Sequence, residues 1–329
     1  MFIYNFIKSF INKNQIKKMG MGTVCSHSFY IFLNLSTYLI MVSTNDDFYQ
    51  DFSLFYHFFL LFFCSYSFYF LLKTKKNPGF IEKNSNENLP IDTSIINNNE
   101  NTNISLSGSP LMIPKSELLF KESCQICQIS NLPLRSHHCK KCGKCVSKYD
   151  HHCSFTGTCI GENNHFNFII FLFFQSIALI LALYGLFKTI VIFLSKNIRS
   201  KLTDIPPSIF IYIFFLIIFF VYVEYLFFFH TYLICTNQTS YEIYHKEKCP
   251  YLEIFRKERS KILELRDIEV QSTYAFHPFD SGVVKNVKLC FNKFMDGKYK
   301  INWDDIYFEN LKTNTIYRNC CDNEYWSCC

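Results

Sequence analysis

The stretch "HHCKKCGKCVSKYDHHC", His137–Cys153, places four Cys and four His within seventeen residues. Cys124-x2-Cys127 precedes it, and Cys159 and His165 follow it. Cysteines separated by two residues have the spacing at which two thiolates grip one ion, and structural zinc takes four tetrahedral S/N ligands. Seven of the sixteen Cys fall in this region, with His137, His138, His151, His152 and His165. Two Cys3His sites use six Cys and two His, so one thiol is left over. On spacing alone the region reads as a structural zinc module with a spare Cys. Zinc binding can itself supply about 10–16 kcal/mol of folding free energy, which a short loop with little apolar core needs. The run Asp150-His151-His152-Cys153 offers more. An Asp, a His and a Cys are the orienter, base and attacker of an activated thiol nucleophile. Adjacency in sequence does not place them in contact, and the fold must turn His151 towards Cys153.

Outward from this stretch the chain is apolar. Its 329 residues include 38 Phe and 21 Tyr against ten Gly and nine Pro. A bilayer core of about 30 Å needs roughly 20 apolar residues in a helix. Four segments qualify: 24–42, 52–72, one starting near 166 and running through "FIIFLFFQSIALILALYGLF", and 208–235. Lys8, Lys13, Lys17 and Lys18 precede the first, only Asp46, Asp47 and Asp51 are charged after it, and Lys73, Lys75 and Lys76 follow the second. The positive-inside rule then puts both termini and the central loop in the cytosol. Lys196, Arg199 and Lys201 between spans three and four vote the other way. A Cys cluster at metal-ligand spacing also belongs in a reducing compartment. The expected architecture is a mainly α membrane protein, with four transmembrane helices and a cytosolic zinc-binding domain between spans two and three. Its divisions are a tail at 1–23, spans one and two within 24–72, an Asn-rich linker at 73–117, the cysteine-rich domain at 118–165, spans three and four within 166–235, and a cytosolic tail at 236–329. The polar part of the linker, 83–110, reads as disordered. A net charge of +6 fits contact with an anionic membrane surface rather than nucleic acid.

The run "CQICQISNLPLRSHHCKKCGKCVSKYDHHCSFTGTCIGENNHFNF", Cys124–Phe168, resembles the cysteine-rich domain of the DHHC protein S-acyltransferases (palmitoyltransferases). Asn77-Pro78-Gly79 resembles that family's Asp-Pro-Gly, "NQTSYE" (Asn237–Glu242) its Thr-Thr-x-Glu element, and "HPFDSGVVKNVKLCF" (His277–Phe291) its C-terminal aromatic/Asn element. The resemblance implies two interleaved structural zinc ions. Cys124, Cys127, His138 and Cys145 would hold one, and Cys139, Cys142, His152 and Cys159 the other. Cys153 is then the nucleophile, His151 the base and Asp150 its orienter, while His137 and His165 receive no role and read as surface imidazoles. The sequence departs from the family pattern in places: Ser154-Phe155 stands for Pro-Trp, Thr158 for Asn, and Ser240 for the second Thr.

The activity implied is transfer of a fatty acyl group from acyl-CoA, palmitoyl-CoA above all, to cysteine thiols of membrane-associated proteins on the cytosolic face. A Golgi or endoplasmic reticulum membrane is the implied location, with other endomembranes or the plasma membrane as alternatives. Partners are membrane lipid, acyl-CoA and substrate proteins, without nucleic acid. Arg135, Lys140 and Lys144, with Lys141 and Lys148, are candidates to face CoA phosphates or anionic lipid; a solvated charged face is the plainer reading. Glu224 lies inside span four, where carboxylates are functional candidates, and Lys188 is placed to snorkel. Met21–Ser26 fits a myristoylation pattern only if translation starts at Met21, and Cys328-Cys329 is a lipidation candidate. The rival is a catalytically inactive zinc scaffold anchored in a membrane, which needs the ligands but not Cys153. A channel would need polar residues along several spans, and these have few.

Overall fold

The computed structural model describes residues 32–40, 54–82, 104–106, 109–111, 122–196, 205–264 and 277–312. The chain divides into two compact units. One takes in 1–77, 152–160 and 164–231; the other takes in 78–151, 161–163 and 232–329.

The first unit is helical. Helix α1 covers 32–40, α2 Leu54–Thr74, α3 His165–Lys196, and α4 runs from Pro207 towards Cys235. Apolar residues surround α2, α3 and α4 on all sides, which is the pattern of a helix in lipid rather than of an amphipathic surface helix. Among the described residues, these three helices are long and apolar enough to cross a membrane. The first expected span is described only over 32–40. At 1.5 Å per residue the 32 residues of α3 reach about 48 Å, beyond the roughly 30 Å of a hydrocarbon core. Helix α3 therefore continues eight residues past Lys188.

Leu60, Phe68, Leu71, Phe168, Leu172, Leu179 and Leu216 form the buried centre of this unit. Without water to bond to, polar side chains among the helices pair with one another. Ser67 donates to Gln175 Oε1 at 2.9 Å, Tyr56 to the Leu181 carbonyl at 2.9 Å, and Ser176 bonds Glu224. Glu224 is thus held by a hydroxyl of a neighbouring helix. Asn164 fixes the entry to α3. Its Nδ2 donates to the Thr74 carbonyl at the end of α2 (2.8 Å) and to Cys159 (2.9 Å).

The second unit carries most of the short strands. Within the segment expected to be disordered, β1 (Ile104–Leu106) pairs antiparallel with β2 (Ser109–Leu111). Then come β3 (Glu122–Cys124), β4 (Ile129–Leu132), β5 (His137–Cys139) and β6 (Lys144–Val146), as the hairpins β3–β4 and β5–β6. A third hairpin, which from residue 152 on belongs to the first unit, joins β7 (His151–Cys153) to β8 (Thr158–Ile160). Residues after α2 extend the second hairpin: Phe80 bridges Val146, Ile81 N donates to Cys145 O (3.0 Å), and Ser147 N donates to Gly79 O (2.9 Å). This explains Asn77-Pro78-Gly79. Gly79 has φ of +102°, which L side chains resist, and a Cβ on Gly161 would lie 2.6 Å from the Pro78 carbonyl.

The tail is folded. Helix α5 (Ser240–Tyr244) is followed by a 3-10 turn, then by α6 (Pro250–Glu264), α7 (Val283–Met295) and α8 (Trp303–Lys312). Leu134, Tyr251, Phe255, Phe279, Trp303, Tyr307 and Leu311 make their common core. Asn286 of α7 is 3% exposed. Its amide donates to the Cys235 carbonyl (2.8 Å) and to Asp280 Oδ1 (2.7 Å), and accepts from Ser281 N (3.1 Å). The Cys235 carbonyl is an orphan of the last turn of α4, and removing its donor costs about 1–3 kcal/mol. Asn286→Ala is expected to lower the thermal midpoint in detergent by several degrees, while Asn292→Ala, whose side chain makes none of these bonds, changes it little. Equal midpoints for both variants and the wild type would remove Asn286 from the account.

Candidate active site and metal centres

The three hairpins repeat one pattern. The first strand ends on Cys124, Cys139 or Cys153, four turn residues follow, and the last of these has positive φ: Gln128 (52°), Gly143 (65°) and Gly157 (67°). The left-handed residue closes the turn, which suits Gly at two of the positions. Gly143 N bonds Cys139 O at 2.8 Å, and Gly157 N bonds Cys153 O at 2.9 Å. In the first two turns the amide of the residue three on points at the thiol: Cys127 N to Cys124 Sγ and Cys142 N to Cys139 Sγ, both at 3.4 Å. In the third turn that place belongs to Thr156, whose hydroxyl donates to the Cys153 carbonyl at 3.3 Å. Cys153 therefore sits where a knuckle has its first thiolate, and the second thiolate is replaced by a hydroxyl turned to the backbone. Phe155 stacks on Phe171 (5.9 Å between rings, 24° between planes) and, with Cys153, packs on the helical core of the first unit.

Four donor atoms meet in the second unit. The Sγ atoms of Cys124, Cys127 and Cys145 lie 3.6, 3.2 and 3.9 Å from His138 Nδ1, and all four donors are within 4.8 Å of one another. A tetrahedral zinc with bonds of about 2.3 Å to S and 2.0 Å to N separates S and N by about 3.5 Å. Three thiols and one imidazole with no other charge among them fit zinc. Donors for a second ion stand as two pairs, one in each unit. Cys139 and Cys142 form the knuckle of β5–β6, and His152 Nδ1 lies 3.7 Å from Cys159 Sγ across β7–β8.

The two adjacent histidines have different neighbours. His151 Nδ1 lies 2.6 Å from Asp150 Oδ2. Period-two alternation along β7 puts His151 and Cys153 on one face of the strand and His152 on the other. With the proton on Nδ1, the Asp150 bond fixes the tautomer and leaves Nε2 as the basic nitrogen. Asp150 is 1% exposed. Its Oδ1 accepts from Ser240 N at 2.6 Å and its carbonyl from Ser240 Oγ at 3.1 Å. Ser240 thus supplies a hydroxyl, as a Thr there could.

Ser240 is held by a capping box. Thr239 is the N-cap of α5, its hydroxyl accepts from Glu242 N, and Glu242 Oε2 accepts from Thr239 N at 2.8 Å, which satisfies two orphan amides at once. Glu242 is in turn gripped by Arg135 through two 2.8 Å bonds, from Nε to Oε1 and from Nη2 to Oε2. Burial alone would raise the Glu242 pKa, but Arg135 and His277 outweigh it and hold the carboxyl well below its usual range. Asn237, at φ of +47°, accepts from Arg135 Nη1 (3.1 Å) and Lys148 Nζ (2.8 Å), and its Nδ2 donates to Phe279 O (2.8 Å). Burial and the Arg135 charge push the Lys148 ammonium down to about 8, against the pull of Cys290, Glu242 and Glu162.

These contacts revise several expectations. Arg135 and Lys148 are buried, and their donors are committed to Glu242 and Asn237, which counts against a role at CoA phosphates. Lys140, Lys141 and Lys144 are exposed. His137 is half-buried against the rings of Tyr149 and Tyr241, not a surface imidazole. Neither is His165, which is 2% exposed with its Nε2 3.0 Å from His230 Nδ1. Met21–Ser26 and Cys328-Cys329 lie outside the described residues. The Thr239–Glu242 capping box was available in sequence as T-x-x-E, whereas the Lys148–Asn237 bond carries no local signal.

Residues 118–247 match the family model for the DHHC palmitoyltransferase. The chain is 32% identical over 222 residues to "Putative ZDHHC-type palmitoyltransferase 7" of Dictyostelium discoideum, covering 63% of this chain and 43% of that protein. It is 31% identical over 195 residues to "Probable protein S-acyltransferase 2" of Arabidopsis thaliana (56% and 46%), and 35% over 119 residues to "Palmitoyltransferase ZDHHC23-A" of Danio rerio (35% and 28%). The chain spans less than half the length of each of these relatives. The matched segment contains all three hairpins, Asp150, His151, Cys153 and the Thr239–Glu242 cap, and it is over these residues that the chain is similar to the DHHC palmitoyltransferase family.

Proposed function

We propose that the protein is a protein S-acyltransferase that moves a fatty acyl group from acyl-CoA to cysteine thiols through a Cys153 acyl-enzyme. The observation that carries this reading is the Asp150–His151 pair at 2.6 Å, two residues before a thiol on the same strand face. His151 Nε2 takes the Cys153 proton, and the thiolate attacks the thioester carbonyl of the acyl-CoA. The tetrahedral adduct expels CoA thiolate, which takes the proton back from the imidazolium. In the second half, His151 deprotonates the acceptor thiol. That thiolate attacks the Cys153 thioester, and Cys153 leaves as thiolate, to be reprotonated by His151. A Cys with the usual pKa of about 8.5 is mostly protonated at pH 7, so the base is required. Asp150 holds the imidazole and stabilises its cation.

Two zinc ions accompany this reading, one at Cys124, Cys127, His138 and Cys145 and one at Cys139, Cys142, His152 and Cys159. Bound there, zinc supplies cross-links that fix the hairpins, with all four positions filled by protein and none open for catalysis. The first quartet rests on its geometry. The second rests on the family's interleaved order and on the two donor pairs.

The membrane reading is four spans, with the zinc domain and both termini cytosolic and lipid, acyl-CoA and membrane-associated proteins as partners. Helix α7 supports the lipid contact. It turns Asn286 and Lys293 inward and leaves Val284, Val287, Phe291 and Met295 exposed. An exposed apolar stripe of this kind suits the surface of a bilayer. A Golgi or endoplasmic reticulum membrane follows from the family resemblance alone. Palmitoyl-CoA is the acyl donor that the family resemblance implies, and a sixteen-carbon chain gains about 0.8 kcal/mol per CH2 buried in a membrane. Lys140 and Lys144, both exposed, remain as candidates for the CoA phosphates.

The direct test incubates purified protein with labelled palmitoyl-CoA. A hydroxylamine-labile adduct at Cys153 is expected. Zinc-loaded protein that takes up no label would instead favour the inactive scaffold.

A further inference from the structure

We propose that Trp303, the first residue of α8 and 56 positions beyond the family match, is a positioning residue for the acyl-transfer site; the inference rests on the S-acyltransferase reading. Trp303 is 2% exposed. Its ring covers two buried cations: Arg135 Cζ lies 4.7 Å and Lys148 Nζ 5.0 Å from its centre. Phe279 covers Arg135 from a second ring at 4.2 Å. The indole N–H donates to Glu162 Oε2 at 3.0 Å, on a carboxylate that also accepts from Ser147 Oγ (2.6 Å) and lies 3.3 Å from Lys293 Nζ.

Two like charges side by side in a dry interior repel, and a desolvated cation gains from an aromatic face, most of all from indole. Both cations converge on Asn237 Oδ1. From there the order is unbroken. Arg135 grips Glu242, Glu242 closes the cap on Thr239, and the next residue, Ser240, holds Asp150 by two bonds. Asp150 meets His151. Without the indole, Arg135 and Lys148 lose the surface that lets them share one acceptor. The cap then loosens, and Asp150 no longer holds the imidazole in one orientation. Trp303 touches none of the reacting atoms, so its effect falls on the rate of the chemical step and not on binding of acyl-CoA.

The experiment measures autoacylation by palmitoyl-CoA in single turnover, per zinc-loaded molecule, for the full chain. Trp303→Leu is expected to lower the maximal rate about tenfold or more, with half-saturation by palmitoyl-CoA unchanged. Trp303→Phe, which keeps a ring over the cations, should stay within about threefold of wild type. If Trp303→Leu does not load zinc, Trp303→Met takes its place, since it fills the space without a π face. Ringless variants with the wild-type rate overturn the proposal while leaving the acyltransferase reading intact. So does a Phe variant as slow as the ringless ones, or a loss carried by half-saturation. A wild type that forms no adduct overturns both.

Discussion

Replacing Cys153 by Ser is expected to abolish autoacylation by palmitoyl-CoA, with zinc content and expression at wild-type levels. The reason lies in the third hairpin. Cys153 occupies the place of a first knuckle thiolate, but Thr156 stands where the second would be and spends its hydroxyl on the backbone. The side chain of Cys153 is thus not needed to close either quartet, and Ser leaves the turn bonds of Gly157 and Thr156 in place. What Ser removes is the nucleophile: a hydroxyl is far less acidic than a thiol and is not activated by a lone imidazole to the same degree. The measurement is hydroxylamine-labile label per mole of zinc protein. Label retained at wild-type level in the variant would move the acyl-enzyme to another cysteine and detach it from the His151 pair.

The candidate site was legible because the proposed metal ligands and nucleophile are written in short-range spacing. Cys124-x2-Cys127 and Cys139-x2-Cys142 must be close in sequence to share an ion, and the strand period of β7 separates His151 from His152. The helices long and apolar enough to cross a membrane were legible for a related reason: an apolar run needs no partner to be recognised. The expectations that changed involve charge and distance. Arg135 and Lys148 read as surface cations because Lys and Arg are almost never fully buried unless paired. Their partners, Glu242 and Asn237, lie 107 and 89 residues away. His165 read as exposed because the residue that covers it, His230, is one turn from the end of another helix. The packing of α8 had no local marker either. Trp303 is one of two Trp in the chain, and only the folded tail sets it on Arg135. The hairpin repeat was present in sequence as Cys124/Gln128, Cys139/Gly143 and Cys153/Gly157. Gln in the first copy and Thr156 in the third hide it from a pattern that looks for Gly and paired Cys.

The neighbouring histidines give the second large effect, because one residue of displacement changes the kind of loss. His151→Ala is expected to abolish activity while keeping two zinc ions per chain. Its ring bonds Asp150 at 2.6 Å and belongs to neither ligand set. His152→Ala is expected to lose about one zinc per chain, with a lower thermal midpoint and loss of activity following from the unfolded hairpin. Its Nδ1 faces Cys159 Sγ at 3.7 Å, and a structural site with three ligands is open to water and binds zinc less tightly. The physical basis is the alternation of β7, which sends one imidazole to a carboxylate and the next to a thiolate. Metal analysis beside an activity assay separates the two variants, and neither measurement suffices alone, since both lose activity. The reverse pattern, zinc lost with His151→Ala and retained with His152→Ala, would exchange the two roles and break the interleaved assignment of the second ion.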